Sequence, residues 1–296
     1  MPTDAVLREL IVRHLETWLP EALRRARRAT LALAYAGGDD GAAEAALRVV
    51  ADHADRLRGH QLTVLVLADG TEELPARLGA VEAELPATVA VHLMPGGPAR
   101  LPVAVKAAGA AGAPLLSIVA DPAADAAALT AAAAGKPADV LLATAAGTAA
   151  RAALADAGFP LTTEAELVPA DGAPAWLLAF ATRSDRSLEA FKESLWAVAG
   201  ATGTRYRDTA GRLLDATGVP EPDPLRHELL AELARSGPRT VTELRRHALT
   251  ATVYRSSDAV GALTGLLAAG EVTREPEHGR LGGDVLVSAR DARPLT

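Results

Sequence analysis

Between residues 30 and 157 the chain moves back and forth between two hydrophobic rhythms. TVLVLADG at 63–70 is the clearest case: an unbroken apolar run that stops at Asp-Gly. A strand reads as continuous, rather than alternating, when both of its faces are covered, as in a parallel sheet. TLALAYAGG at 30–38, TVAVHLM at 88–94, LLSIVA at 115–120 and DVLLAT at 139–144 repeat the pattern. Helix-forming stretches separate them, at 41–57, 71–85, 101–111, 123–134 and 147–157. Alternation repeated this often predicts an α/β fold with a doubly wound, mostly parallel Rossmann-like sheet and right-handed crossovers. WLLAFATR at 176–183 is a further strand, and SLEAFKESLWAVAG at 187–200 a further helix. The long connection ahead of that strand makes it a candidate antiparallel edge strand.

Ahead of the sheet, residues 4–28 form an amphipathic pattern, with Val6, Leu10, Ile11, His14, Leu15, Trp18 and Leu19 at helical spacing. Asp4 is a candidate N-cap, and Pro20 is expected to break or kink the helix. Arg24, Arg25, Arg27 and Arg28 are the densest basic cluster, read as a solvated helix end or as a phosphate- or partner-binding patch.

A length of 296 residues predicts two domains. Residues 1–214 hold the sheet and 215–224 (DATGVPEPDP) read as a linker. Residues 225–296 change character: a helix closing at Gly237, a short helix with Thr240 and Glu243 in capping-box spacing, and a third helix opening at Ser256 or Ser257 and closing at Gly270. A β-hairpin follows at 271–289. Three helices and a hairpin predict a C-terminal winged helix-turn-helix.

Residue types exclude several chemistries. Cysteine is absent, which removes disulfides, thiolate metal sites and a cysteine nucleophile. The seven histidines are dispersed, so no metal is expected, and His14 on an apolar helix face reads as a core histidine. No Walker, GxSxG or HExxH pattern occurs. The N-terminus lacks an apolar signal region, and TAAAAG at 130–135 is too short to cross a bilayer, so a soluble cytoplasmic protein is expected, with no membrane partner. A net charge of −7 argues against broad affinity for nucleic acid.

Ligands of open α/β sheets bind beyond the carboxyl ends of the strands. Here those ends offer Tyr35, Gly37, Gly38, Asp39 and Asp40, then Asp69-Gly70, then Asp121 and Pro122. Glycines admit a ligand close to the backbone, and an acid after the second strand suits ribose hydroxyls. AGGDDG is not G-x-G-x-x-G, and adjacent carboxylates repel a pyrophosphate, so the pattern favours S-adenosylmethionine (SAM) over a dinucleotide. The competing reading has Gly37 and Gly38 forming a turn, Asp39 or Asp40 capping a helix, and Asp121-Pro122 opening another. In the C-terminal region, Arg255, Ser256, Ser257, Arg274 and Arg280 are the candidate nucleic-acid or partner contacts. From Asp223 onward the chain carries 10 Lys+Arg and 10 Asp+Glu, a neutral balance that also suits protein contact.

Three segments together resemble the three-Cys-motif partner protein (TcmP) family. HLETWLPEALRRARRATLALAYAGG is similar to that family's opening helix, strand and Asp-Gly-Phe-Ala-Gly-Pro-Gly-type loop, and PLLSIVADPAAD to its Phe-x-Asp-Pro-Phe-Gly segment. AFATRSDRSLEAFKESLWAV, with Thr182, Leu188, Lys192 and Trp196, is the most specific match. The resemblance implies a SAM-methyltransferase-like sheet domain and a partner carrying a three-cysteine motif. The loops depart from the family: Leu33 stands where its acid falls, Ala34 at its first Gly, Tyr35 for its Phe, and Ala123-Ala124 for Phe-Gly. The expectation is a divergent accessory protein that acts mainly by binding a partner, with no cofactor or with SAM. An active SAM-dependent methyltransferase or nucleotide-modifying enzyme using Asp39, Asp69 and Asp121 is the second possibility. A DNA-binding regulator with a ligand-sensing sheet domain is the third.

Overall fold

A computed structural model describes residues 3–37, 41–69, 73–123, 125–168, 175–208, 211, 213–215 and 221–290. Backbone contacts divide the chain into two compact units, Met1–Thr217 and Gly218–Thr296.

The first unit is built on nine strands: β1 (Arg28–Tyr35), β2 (Gln61–Ala68), β3 (Val89–Pro95), β4 (Leu115–Ala120), β5 (Ala138–Ala145), β6 (Leu161–Val168), β7 (Trp176–Thr182), β8 (Arg205–Arg207) and β9 (Leu213–Asp215). Their order is β3-β2-β1-β4-β5-β7-β6-β8-β9. The first five strands pair in parallel, giving a mostly parallel Rossmann-like α/β sheet. WLLAFATR does run antiparallel, but β7 is an interior strand, inserted between β5 and β6 rather than placed at an edge. The edge expectation failed because β6 went unread. LTTEAELV carries two glutamates and two threonines and buries only alternate stretches, so it lacks the apolar continuity that marks β1 to β5.

Seven helices accompany the sheet: α1 (Thr3–Arg25), α2 (Ala42–Asp52), α3 (Glu73–Glu82), α4 (Leu101–Ala107), α5 (Ala126–Ala132), α6 (Ala150–Asp156) and α7 (Asp185–Thr202). One core layer joins Leu101, Val105, Leu129 and Leu154 of α4 to α6 with Ala32, Ala34, Leu65, Val119 and Leu142 of the strands. Successive strand residues point to opposite faces, and on the other side α1 packs against α2 and α7. Alanine at so many contact positions lets helices lie close to the sheet where aromatic residues are scarce. Leu188, Lys192 and Trp196 recur every fourth residue on one face of α7, and all three are buried.

Pro20 neither breaks nor ends α1, which continues to Arg25. The ring removes one hydrogen bond to the carbonyl four residues back, and Glu16, which holds that carbonyl, is exposed. Asp4 lies within the first turn rather than ahead of it. Of the four arginines, Arg24 and Arg25 end the helix and Arg28 opens β1.

The second unit holds α8 (Pro222–Ser236), β10 (Arg239–Thr240), α9 (Val241–Ala251), α10 (Ser256–Ala269), β11 (Val272–Glu275) and β12 (Leu286–Ala289), with β12 central in an antiparallel three-stranded sheet. Leu229, Leu244, Leu263 and Val287 fill its core. Thr240 and Glu243 form the expected capping box, and Gly270 closes α10 with φ +71°. Neither Ser256 nor Ser257 caps α10. The Asp258 carboxylate accepts from the Arg255 backbone N–H at 2.9 Å instead, and the Ser256 hydroxyl is taken by the Arg245 guanidinium. Among the described residues, no helix is long and apolar enough to cross a membrane.

Candidate functional site

Past their last ladder bonds, the central strands stay zipped by their backbones. Ala36 N–H donates to the Ala120 carbonyl at 2.8 Å, and Asp69 N–H to the Gly37 carbonyl at 3.0 Å. Asp121 N–H donates to the Ala143 carbonyl at 2.9 Å. The turns after β1, β2 and β4 are thereby held side by side. Gly37 adopts φ +115°, a conformation that suits glycine. From the β3–α4 connection, Gly97 comes so near β1 that an added Cβ would lie 3.2 Å from the Tyr35 carbonyl oxygen. These turns surround an open cavity of about 600 Å³ lined by Gly37, Asp69, Gly97, Pro98, Asp121 and Asp125, among others.

The carboxylates there do different work. Asp121 is buried; its Oδ1 accepts from Ala123 N–H at 2.9 Å and its Oδ2 from Asp125 N–H at 3.2 Å. Asp125 in turn caps α5 by accepting from Ala128 N–H at 2.8 Å. Both acids therefore hold their own loop. Asp69 is exposed, and its carboxylate has no hydrogen-bond partner among the described residues. Both of its oxygens are open to a ligand.

Of the residues expected at this site, the structure brings Gly37, Asp69 and Asp121 together on one cavity. Tyr35 and Pro122 do not line it: Tyr35 is buried in the strand end, and the Pro122 carbonyl accepts from the Thr144 hydroxyl at 3.0 Å. Pro122 does not open a helix either, since α5 begins four residues later behind Asp125. Gly38, Asp39, Asp40 and Gly70 lie outside the described residues. The N-cap position of α2 falls on Gly41, with φ +91°, so neither Asp39 nor Asp40 occupies it. Gly97, Pro98 and Asp125 were not anticipated. The Gly-Gly-Pro run at 96–98 was the available signal, because paired glycines before a proline mark a loop that passes close to other backbone.

In the second unit, the expected contact residues are mostly engaged locally. Arg255 donates to Asp258 from Nε at 3.0 Å and Nη2 at 2.9 Å. Ser256 is buried. Arg274 lies across the β11–β12 turn, donating to the carbonyls of Pro276 at 2.8 Å and Gly279 at 3.0 Å. Ser257 and Arg280 are exposed. The exposed face of α10 presents Ser257, Gly261, Thr264 and Ala268, all small and uncharged. Among the described residues, no group of three or more His, Cys, Asp or Glu could hold a metal ion.

No protein-family model matches the chain, and no curated protein matches it. Solved structures do. EvdMO1 is 16% identical over 59% of this chain and 41% of its own, with a TM-score of 0.38. A candidate class I S-adenosylmethionine-dependent methyltransferase of Listeria monocytogenes is 11% identical over 60% of each chain, with a TM-score of 0.36. A Streptococcus pneumoniae protein described as a candidate tRNA (m1A22) methyltransferase is 13% identical over 84% of this chain and 97% of its own, with a TM-score of 0.32. The chain thus spans less than two thirds of the length of the first two.

Proposed function

We propose that this chain is a divergent relative of the three-Cys-motif partner proteins, with a methyltransferase-like α/β unit that acts by binding and not by methyl transfer. The observation that carries the reading is the division of labour among the cavity's acids. The cavity lies where a nucleoside cofactor would sit, yet Asp121 and Asp125 accept from peptide N–H groups of their own loop, and among the described residues Asp69 is the lining acid that makes no hydrogen bond within the protein. An adenosine-type ligand such as SAM then gains one charge-assisted pair, from a ribose hydroxyl to Asp69. Such a pair contributes about 1.5–3 kcal/mol, which is roughly one to two decades of affinity. The acids at 39 and 40 in the adjoining loop disfavour a pyrophosphate.

Calorimetry of the full chain with SAM and S-adenosylhomocysteine tests this. The reading expects dissociation constants no tighter than about 100 μM, a further loss in Asp69→Asn, and no methylated product. Low-micromolar binding accompanied by methyl transfer overturns it.

We read the second unit as a winged helix-turn-helix used for protein contact. Its α10 face lacks the Arg, Lys, Asn or Gln that reads base edges, and Arg255 and Arg274 are turned to their own loops. The partner expected from the resemblance is a protein with a three-cysteine motif, recovered by co-purification with the full chain. A DNA or RNA gel shift at about 50 mM salt, where phosphate contacts are strongest, would refute this part if a complex formed.

A further inference from the structure

At the opposite, amino end of the parallel strands lies a second cavity, of about 390 Å³. It is enclosed by the C-terminal half of α1, the start of β5 and the first turns of α7. Asp139 is part of its floor. This residue is buried at the start of β5 and accepts from the Thr182 hydroxyl at 2.5 Å, its register partner on β7. Burial pushes the Asp139 carboxyl above the usual carboxylate range, against the opposing pull of Thr182, Ser187, Arg25 and Trp18.

His14 lines the same cavity. It is 1% exposed, and neither ring nitrogen has a hydrogen-bond partner among the described residues. Its ring stands edge-on to Phe180 and Phe191, with centroids 5.0 and 5.6 Å away. Burial lowers its pKa to about 4, so at neutral pH it offers one donor and one acceptor. Leaving such a group unmatched is costly, and a polar atom entering the cavity would match it.

The mouth has the opposite character. Glu21 meets three guanidinium groups: Arg24, Arg25 at 2.9 Å and Arg186 at 3.6 Å. Each guanidinium carries about five N–H donors, and a carboxylate has about four acceptor sites. Donors therefore remain in large excess even with Glu16, which also lines the mouth. The Arg186 side chain is 69% exposed and makes the longest of the three contacts, so it is free to turn to another anion. Trp18 and Ala190 supply apolar wall between floor and mouth.

We propose that this cavity is a ligand site for a small aryl carboxylate, with the carboxylate at Arg25 and Arg186, the ring against Trp18 and a polar far end at His14. The volume falls within the range of small-molecule sites. The site shares no residue with the cavity at the carboxyl ends, and stands whether or not that cavity holds a nucleoside.

Isothermal titration calorimetry of the full chain with 3-(4-hydroxyphenyl)propionate tests it, with tyramine as the control that keeps the ring and hydroxyl but reverses the charge. The acid should saturate with a dissociation constant of about 1 mM or tighter, and tyramine should bind at least about tenfold more weakly. Arg186→Gln, on an exposed side chain, should weaken the acid roughly three- to tenfold. Ala190→Phe, which fills the cavity, should abolish its binding. No saturable heat with the acid up to about 10 mM, tyramine binding as well as the acid, or binding indifferent to both substitutions would each overturn the proposal.

Discussion

His14 sets a pH dependence whose size follows from its burial. Its pKa falls from 6.5 to about 4 in the folded protein, through desolvation. The unfolded chain therefore binds a proton first as the pH drops. Above pH 6.5 the residue is neutral in both states and costs nothing. Below that the unfolded state is progressively favoured, and stability is lost until the pH reaches the folded value. Linkage between those two values gives a loss of about 2 kcal/mol from His14 on going from about pH 7.5 to pH 5. His14→Leu removes the titration. It also removes the edge-on contacts to the stacked Phe180–Phe191 pair, but that packing loss is the same at both pH values and cancels in the comparison. The assay is urea unfolding followed by tryptophan fluorescence. Trp18, Trp176 and Trp196 all belong to the first unit, so the signal reports that unit alone. Wild type should lose about 2 kcal/mol more than His14→Leu across the interval. Asp139, Arg25 and Arg186 line the same cavity, so the pair is measured again in an Asp139→Asn background to remove its buried titrating acid. Equal pH slopes in wild type and His14→Leu, in both backgrounds, would refute the reasoning.

Three further outcomes are expected. Thr182→Val withdraws a donor from the buried Asp139 carboxyl and should cost about 1–3 kcal/mol in the same urea assay; an unchanged midpoint would refute the bond's role. Lys192 is buried, and desolvation, aided by Arg151, lowers its pKa from 10.5 to about 7. The unfolded state is favoured by protonation below 10.5, so Lys192→Met should gain more stability relative to wild type near pH 7 than near pH 10, and equal gains would refute this. Gly97→Ala places a methyl 3.2 Å from the Tyr35 carbonyl. It should weaken any nucleoside binding at the carboxyl-end cavity several-fold by calorimetry while leaving the 3-(4-hydroxyphenyl)propionate site unaffected; the reverse pattern would refute the placement of both cavities.

Most strands legible in the sequence are covered on both faces, although β3, also read as an apolar run, is a partly exposed edge strand. β1, β2, β4 and β5 each announce themselves as apolar runs, and each proves central and parallel. β6, β8 and β9 lie beyond the reversed strand, where the sheet is only partly covered, and polar residues such as Thr163, Glu164 and Glu166 break the run. Turn chemistry was legible where one side chain decides it, as with Thr240 and Glu243. It was misread where a partner distant in sequence decides it: Ser256 looks like a cap until Arg245, on the preceding helix, takes its hydroxyl. The candidate site was half legible for the same reason. Strand ends located Gly37, Asp69 and Asp121, but only tertiary structure shows that Gly97 arrives from another crossover, whereas the turn of Asp121 to its own loop is a local bond that the strand-end reading did not weigh. The amino-end cavity could not be read at all, because His14, Asp139 and Arg186 are far apart in the chain and each has an ordinary local role.

The same distinction explains what the resemblance to three-Cys-motif partner proteins is able to inform. Its most specific residues are Thr182, Leu188, Lys192 and Trp196. In the structure these hold α7 on the sheet: Thr182 bonds Asp139 across two strands, and the other three are buried on one helix face. A spacing made of packing residues follows from how a helix seats on a strand, and it demands nothing of the loops at the far end of the sheet. The departures noted in the sequence lie elsewhere: Leu33 and Ala34 fall in buried β1, and Ala123 and Ala124 follow β4. Asp69, which makes no hydrogen bond among the described residues, is the ground for the proposed binding at the carboxyl-end cavity. That is why binding at the two ends of the sheet, measured separately, discriminates between these readings better than an assay of turnover.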